Sequence, residues 1–308
     1  MTNRKQLRGI IRSVLKETKL RTYMKDWDDN ILHMPTKIKM DKKEDGVWIP
    51  VEVSTRDFAE LRNDPDYRPR NNSAADAFRD FKESEPFLRD VKIALRKKSF
   101  APSYDDFKET LIYGDPFAIN TARGHKPNIL KQGVRIVIDS FSENEKNKMV
   151  QNIKDNFKKE KRFSQSFADK LDSLSQSQLI DLYLDEKGEY YSVSSEEFGR
   201  RMGLDVSGAS ANPEHAKKVA IADFVRKIWS EMDYWINSGY SSISFGFSDD
   251  DKKNVKAAVE FLKEELSKQY PEIHFVVYDT SEGGKNKIVI SKTKPELEKP
   301  TRKKNKSK

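Results

Sequence analysis

Three segments of the sequence place carboxylates or hydroxyls directly after short apolar runs. The first is KDWDDN, which holds three aspartates within residues 26–29. The second is TARGH, which begins at Thr121, and the third is SDDD, at residues 248–251. Like-charged carboxylates that converge cannot all stay ionised unless a cation lies among them. Oxygen-only ligands suit Mg²⁺, which also binds phosphates, so these segments predict a magnesium site beside a phosphate pocket.

This convergence requires that the three apolar runs are neighbouring strands of one sheet. The sequence predicts strands, separated mostly by segments with helical periodicity, at residues 20–25, 47–53, 116–120, 179–185, 241–247 and 273–279. Strands that alternate with helices predict an α/β fold, in which a parallel sheet has helices on both faces. Ligands of such sheets bind at the carboxyl ends of the strands, which is where the three segments stand.

Composition narrows the classes of protein and of chemistry. The chain has 308 residues, 36% of them hydrophobic, and a formal net charge of +8, which allows an anionic partner without requiring one. It has no cysteine, so zinc–thiolate sites, disulfides and thiol nucleophiles are excluded. We find neither a signal peptide nor an apolar run that could span a membrane, and we expect a soluble, cytoplasmic protein.

The first and third segments resemble two motifs of the HAD (haloacid dehalogenase-like) hydrolase superfamily. In that superfamily the first strand is followed by DxDxT, and here the residues are DWDDN, with Asn30 in place of the threonine. A later strand is followed by paired acids, here Asp249 and Asp250. The resemblance implies a Rossmann-like, three-layer α/β core over residues 20–32 and 110–292, with Mg²⁺ as cofactor.

Two further motifs of the superfamily have counterparts in this chain. One is a strand that ends in Thr or Ser, here Thr121 of AINTARGH. The other is a lysine near the start of a later helix, here Lys217 or Lys218 of AKKVAIADF. The resemblance favours Lys217, because Ala220, Ile221 and Phe224 follow it at the spacing that the superfamily usually shows, and both lysines remain candidates.

The resemblance implies a role for each residue in the hydrolysis of a phosphate monoester. Asp26 is the expected nucleophile, which forms an aspartyl-phosphate, and Asp28 is the expected acid and base. Thr121 would bind phosphoryl oxygens, and Lys217 or Lys218 would neutralise negative charge. The expected metal ligands are Asp26, Asp28 through its backbone carbonyl, and Asp249 or Asp250.

Substrate recognition is expected from two places. Arg123 and Asn30 lie beside the motifs, and we expect both to contact substrate, since a guanidinium pairs well with phosphate. Residues 33–109 stand where the superfamily inserts a cap, predicted here as mostly helical. Arginines and aromatic residues of this cap could hold a nucleotide or a nucleic-acid end, or else form its core and solvated surface.

Three further segments, outside the four motifs, do not by themselves indicate one function. Residues 1–19 predict an amphipathic helix, 140–213 a helical insert, and 293–308 a disordered basic tail that could contact nucleic acid weakly. A Mg²⁺-dependent phosphatase is the first hypothesis. The alternatives are a catalytically silent HAD-fold binding or structural protein and, last, a carboxylate-dependent nuclease on an unrelated fold.

Overall fold

A computed structural model describes residues 19–160, 164–204 and 212–290. The predicted N-terminal helix up to residue 18, the predicted basic tail and most of the loop predicted at 204–214 lie outside the described residues. Within the described ranges, no helix is both long enough and apolar enough to cross a membrane.

The strands form two separate sheets. In chain order they are β1 (Lys19–Lys25), β2 (Ile38–Glu44), β3 (Val47–Val53), β4 (Tyr67–Pro69), β5 (Phe117–Thr121), β6 (Gly188–Ser192), β7 (Ser242–Asp249), β8 (Ile273–Asp279) and β9 (Asn286–Val289). The main sheet has six strands in the order β6-β5-β1-β7-β8-β9, and all its pairs are parallel except β8 with β9. The second sheet is antiparallel, in the order β3-β2-β4.

Helices pack against both sheets. They are α1 (Thr55–Leu61), α2 (Ala74–Ala77), α3 (Ser84–Arg96), α4 (Tyr104–Tyr113), α5 (Pro127–Asp139), α6 (Glu143–Lys159), α7 (Gln165–Leu171), α8 (Gln176–Glu186), α9 (Glu196–Met202), α10 (Pro213–Ser230), α11 (Met232–Asn237), α12 (Lys252–Phe261) and α13 (Ser267–Gln269). A π-helical turn, Leu262–Leu266, joins the last two, and short 3₁₀ turns cover Arg70–Asn72 and Arg79–Phe81.

Two hydrophobic cores lie on opposite faces of the main sheet. Successive side chains of a strand point to opposite faces, and β5 shows this clearly. Phe117 and Ile119 pack in one core with residues of α3 to α8, whereas Ala118 packs in the other with residues of α10 and α12. The result is a mixed α/β architecture with a mostly parallel central sheet and helices on both faces, which is compatible with the predicted Rossmann-like arrangement.

The strand predicted at 179–185 is wrong, because this segment belongs to α8. Ser175 and Gln178 form a capping box that starts the helix, and the buried side chains then follow at helical spacing. A short apolar run alone does not distinguish a buried helix from a strand. The strand is the next segment, β6, at the edge of the main sheet. Residues 140–213, predicted as a helical insert, therefore supply a strand of that sheet.

Residues 33–103 form an inserted segment, which we call the insert, with its own small core. The mostly helical cap was predicted over residues 33–109, yet residues 33–103 contain the three-stranded antiparallel sheet together with α1 to α3, and residues 104–109 belong to α4. The hairpin β2–β3 turns at Asp45 and Gly46, which both have positive φ angles, as a tight two-residue turn requires. Ile38, Met40 and Phe81 are buried in the core of the insert.

Candidate functional site

The three predicted loops meet at one edge of the main sheet. Asp26 directly follows β1, and its backbone N–H donates to the carbonyl of Ser248 in β7, at 3.0 Å. Thr121 is the last residue of β5, and Asp249 is the last residue of β7. Because β5 and β7 flank β1 in parallel, their carboxyl ends bring all three loops together.

These loops form the floor of a cavity of about 300 Å³. Six of the residues predicted for the site line it: Asp26, Asp28, Thr121, Arg123, Lys217 and Asp250. The insert forms the facing wall with Phe58, Phe78 and Phe81. The cavity thus has a charged floor from the main sheet and an aromatic wall from the insert.

Lys217 joins two of the predicted acids. Its Nζ lies 3.0 Å from Oδ1 of Asp26 and 2.7 Å from Oδ2 of Asp249. Burial opposes the charged form of Lys217, yet the two carboxylates outweigh it and hold the pKa of Lys217 above its ordinary value. The neighbouring Lys218 lines a different pocket, on the outer side of α10 with Arg226. The structure therefore places Lys217 at the site and Lys218 away from it.

Three carboxylates could hold a metal ion. Asp26, Asp249 and Asp250 each offer an oxygen, and these oxygens lie within 4.8 Å of one another. Burial raises the pKa of Asp26 to about 8 and that of Asp250 to about 9, with neighbouring carboxylates adding to both shifts. A divalent cation would relieve this repulsion, and an all-oxygen ligand set fits Mg²⁺. The side chain of Asp28 is not part of the group.

The carboxylate of Asp28 is held by Arg123. Nε and Nη2 of Arg123 each donate to one oxygen of Asp28, both at 2.7 Å, which is a bidentate pair. Arg123 is only 1% exposed, and its guanidinium lies over the rings of Phe81 and Phe87, 4.6 Å and 5.1 Å from their centroids. Arg123 was predicted to contact substrate; it borders the cavity, but its side chain is committed to Asp28.

A second set of contacts fixes Arg123 in turn. Nη2 of Arg123 donates to Oγ1 of Thr36 at 3.0 Å, and Thr36 donates to Asp90 at 2.7 Å. Thr36 stands just before β2, and Asp90 lies on α3, so the insert helps to orient the Asp28–Arg123 pair. Burial, assisted by the positive charge of Arg123, lowers the pKa of the adjacent His125 to about 4. His125 is therefore neutral near pH 7.

Asn30 lies beneath the site and does not line the cavity. It was predicted to contact substrate, but it is fully buried. Its Nδ2 donates to the carbonyl of Asp26 at 3.1 Å and to Oγ of Ser248 at 2.9 Å. Its Oδ1 accepts from Ser103 at 2.9 Å and from Thr280 at 3.0 Å. Asn30 thus joins four separate segments of the chain under the floor of the cavity.

Sequence reasoning missed the residues that orient Asp249. Oδ1 of Asp249 accepts from the backbone N–H of Asp251 at 3.0 Å and from Nδ2 of Asn254 at 3.1 Å. Asp251 also caps the start of α12. The run SDDDKKN contains both residues, and an aspartate followed closely by a helix is a recognisable N-cap. The link from Asn254 back to Asp249 needs the geometry of the turn.

Comparisons of the chain with protein-family models, curated proteins and solved structures gave no match. The interpretation of the site therefore rests on the residues themselves and on their geometry.

Proposed function

We propose that this protein is a Mg²⁺-dependent phosphatase of the HAD type, which hydrolyses a phosphate monoester such as a nucleotide or a nucleic-acid end. The observation that carries the proposal is the placement of Asp26. Its carboxylate lies on the floor of the cavity, held by Lys217, with Asp28 and Thr121 lining the same space. A nucleophile, an acid and a hydroxyl donor thus converge on one small volume, as phosphoryl transfer requires.

Asp26 is the proposed nucleophile. Lys217 donates to its Oδ1, so the carboxylate is oriented and its charge is partly balanced. A carboxylate oxygen of Asp26 forms a bond to phosphorus while the bond from phosphorus to the ester oxygen breaks. Thr121 is placed to donate its hydroxyl to a phosphoryl oxygen. Water then attacks phosphorus, the bond to Asp26 breaks, and inorganic phosphate leaves.

Asp28 is the proposed acid and base. In the second step its carboxylate takes a proton from the attacking water. That proton, carried on an oxygen released from Arg123, passes to the departing ester oxygen in the first step of the next turnover. Arg123 holds both oxygens of the Asp28 carboxylate and thereby fixes the direction in which the carboxyl group points. Arg123 acts through Asp28 and is a positioning residue.

The residues present fit a magnesium ion. Asp26, Asp249 and Asp250 would hold it, and Lys217 balances the remaining negative charge. When bound, the ion supplies charge neutralisation for the phosphate group. Asp249 is oriented for this role by Asn254.

The insert is proposed to act as the cap of the site. The backbone N–H of Gly124 donates to the carbonyl of Phe81 at 3.1 Å, which joins the second motif loop to the insert. Arg62 of the insert also forms an ion pair with Asp251, in the loop after β7, at 3.3 Å. These contacts hold the aromatic wall over the charged floor.

The test is phosphate release from a panel of phosphate esters, nucleotides and phosphorylated oligonucleotides, with Mg²⁺ or with EDTA. The account predicts release with Mg²⁺ and none with EDTA. Asp26→Asn should lower kcat by more than about 10³-fold, because it removes the nucleophilic carboxylate while keeping a side chain of the same size and shape. Asp172→Asn, at an exposed carboxylate, is the matched control and should leave kcat unchanged.

Two results would overturn the proposal. Undiminished turnover by Asp26→Asn would remove Asp26 from the reaction. No release from any ester, by a folded protein that still binds Mg²⁺, would favour the alternative of a catalytically silent binding protein.

A further inference from the structure

We propose that the cavity selects phosphate monoesters whose alcohol part carries a flat aromatic group, as a nucleoside monophosphate does. This inference rests on the proposed function, since it names the substrate class of the same site. The proposed function leaves open whether the substrate is a nucleotide or a nucleic-acid end, and this inference favours a single small ester over the end of a nucleic acid.

The aromatic wall is a contiguous surface. The rings of Phe58 and Phe78 meet edge to face, with centroids 5.2 Å apart and planes at 88°. Phe78 meets Phe81 in the same way, at 5.9 Å and 76°. All three line the cavity that contains Asp26. Since each ring is braced by its neighbour, the wall has a defined shape before a ligand binds.

Part of this wall is held by the small core of the insert. Phe81 is buried, whereas Phe58 and Phe78 are only partly buried although they pack against that core. The two partly buried rings thus combine a supporting contact on one side with surface towards the cavity. Ile38, Ala74 and Ala75 extend the apolar lining around them.

The division of the cavity into two halves sets the orientation of the ligand. The phosphate belongs at the charged floor, near Asp26, Lys217 and Thr121, so the alcohol part lies towards the insert. There the three phenylalanines form the largest apolar surface, beside the polar side chains of Thr55, Arg62 and Lys82. A polyhydroxylated group would lose its hydration there without gaining hydrogen bonds from the rings. A flat aromatic group would instead gain stacking or edge contacts with them.

Size and closure favour one aromatic group over a strand. A volume of about 300 Å³ is at the small end of the range for ligand pockets. Contacts that bind the insert to the floor include those of Phe81 with Gly124, of Arg62 with Asp251, and of the Thr55 hydroxyl with Asp29. A strand would have to pass between these contacts.

Not every aromatic residue of the insert faces the cavity, which provides a matched control. Trp48, on β3, is not among the cavity residues, and the guanidinium of Arg68 stacks on its ring at 4.2 Å. Arg68 and Arg70 both pair with Asp41, in the insert itself. Replacing Trp48 therefore removes an aromatic ring of the insert without touching the proposed binding surface.

The experiment compares esters that share a primary alkyl leaving oxygen, so that leaving-group reactivity does not decide the result. Adenosine 5′-monophosphate carries a base and a sugar, 2-phenylethyl phosphate a ring alone, and ribose 5-phosphate a sugar alone. We expect kcat/KM for both aromatic esters to exceed that for ribose 5-phosphate by tenfold or more, because one stacking contact is worth about that factor. A 5′-phosphorylated hexanucleotide should be a poorer substrate than the mononucleotide.

The variants Phe78→Leu and Phe58→Leu keep an apolar side chain in the core of the insert. Each should lower kcat/KM for the aromatic esters about tenfold and kcat/KM for ribose 5-phosphate less than twofold. Trp48→Leu should leave kcat/KM unchanged for both kinds of ester. Equal kcat/KM for aromatic and sugar esters in the wild type, equal losses for both in Phe78→Leu, or an oligonucleotide preferred over the mononucleotide would each overturn the inference.

A binding measurement separates failure of this inference from failure of the proposed function. Calorimetric titration of Asp26→Asn with adenosine 5′-monophosphate and with ribose 5-phosphate needs no turnover. Tighter binding of the aromatic ester supports the inference even if the wild type hydrolyses nothing, in which case only the phosphatase proposal falls. Equal affinities overturn the inference even if ribose 5-phosphate is hydrolysed efficiently.

Discussion

At the scale of single residues, the most informative contact is the ion pair between Asp28 and Arg123. Both of its hydrogen bonds are 2.7 Å long, and Arg123 is fully buried. Removing one partner of such a pair leaves an uncompensated buried charge, which usually costs several kcal/mol. The pair therefore determines both where the proposed acid points and how firmly it is held.

We predict that Arg123→Lys, which keeps the charge but not the bidentate geometry, lowers kcat for alkyl phosphates about 100-fold with little change in KM. The loss should be much smaller for p-nitrophenyl phosphate, since its leaving group needs little protonation. Steady-state kinetics with both substrates checks this. A merely structural role for Arg123 would lower both rates equally, and that outcome would contradict the assignment.

The site residues differ in how far the sequence could predict them. The aspartates could be predicted because each follows an apolar strand in a segment of unusual charge. Lys217 and Lys218 are adjacent in the sequence, and only the rotation of α10 decides which one faces the sheet. The pairing of Arg123 with Asp28 could not be predicted. It depends on the orientation of Arg123, which is fixed by Thr36 and Asp90 from other parts of the chain.

At the scale of elements, Asn30 connects the loops on which the site depends. It bonds to the ends of β1 and β7, to Ser103 just before α4, and to Thr280 after β8. All of these contacts are buried, so each lost partner would leave an unsatisfied polar group. This one side chain therefore ties the loop that carries Asp26 to three other segments of the chain.

Asn30→Ala should therefore lower the free energy of unfolding by about 2–4 kcal/mol, since several buried hydrogen bonds are lost together. It should also reduce kcat, because Asp26 loses its support. The matched control is Asn156→Ala, whose half-buried side chain donates to the carbonyls of Tyr113 and Gly114. Urea unfolding should show a clearly smaller effect for the control; equal effects would contradict the role given to Asn30.

The elements that the sequence did not predict have short or ambiguous signals. Strand β2, IKMDKKE, is rich in charge, and its pairing with both β3 and β4 is what makes it a strand. The segment at 179–185 is apolar enough for either state, and its capping box decides for a helix. For β2, tertiary pairing outweighs the local secondary-structure preference, whereas at 179–185 the deciding signal is the local capping box.

At the scale of the whole molecule, the main sheet is the part that the sequence predicts best. Four strands with strong apolar signals, β1, β5, β7 and β8, lie together in the order that brings the polar loops to one edge. The edge strands β6 and β9 were not foreseen, because each is short and only its place in the sheet defines it. The cavity itself depends on how the insert lies over the sheet, which no local pattern specifies.

Mg²⁺ should stabilise the folded chain, because the unfolded chain cannot assemble the three carboxylates. At a concentration about 100 times Kd, the expected gain is about 2.7 kcal/mol, or roughly 5 °C in Tm. Asp250→Asn should abolish most of this shift while leaving the metal-free protein at least as stable. Burial raises the pKa of Asp250 to about 9, so folding must protonate this carboxyl near pH 7, and asparagine removes that cost. Calorimetry with and without Mg²⁺ checks this; a full shift in Asp250→Asn would exclude Asp250 as a ligand.

The central claim is that phosphate passes through a covalent bond to Asp26. Its most direct test is rapid quenching of the enzyme with a substrate labelled with ³²P in the phosphate group, followed by recovery of the denatured protein. With p-nitrophenyl phosphate as the labelled substrate, whose leaving group needs little protonation, we predict label on the wild type and none on Asp26→Asn. Asp28→Asn should carry more label than the wild type, because it loses the base for the second step. Two results would contradict a covalent bond to Asp26. One is turnover by the wild type with no label on the wild type or on Asp28→Asn, and the other is label that persists on Asp26→Asn.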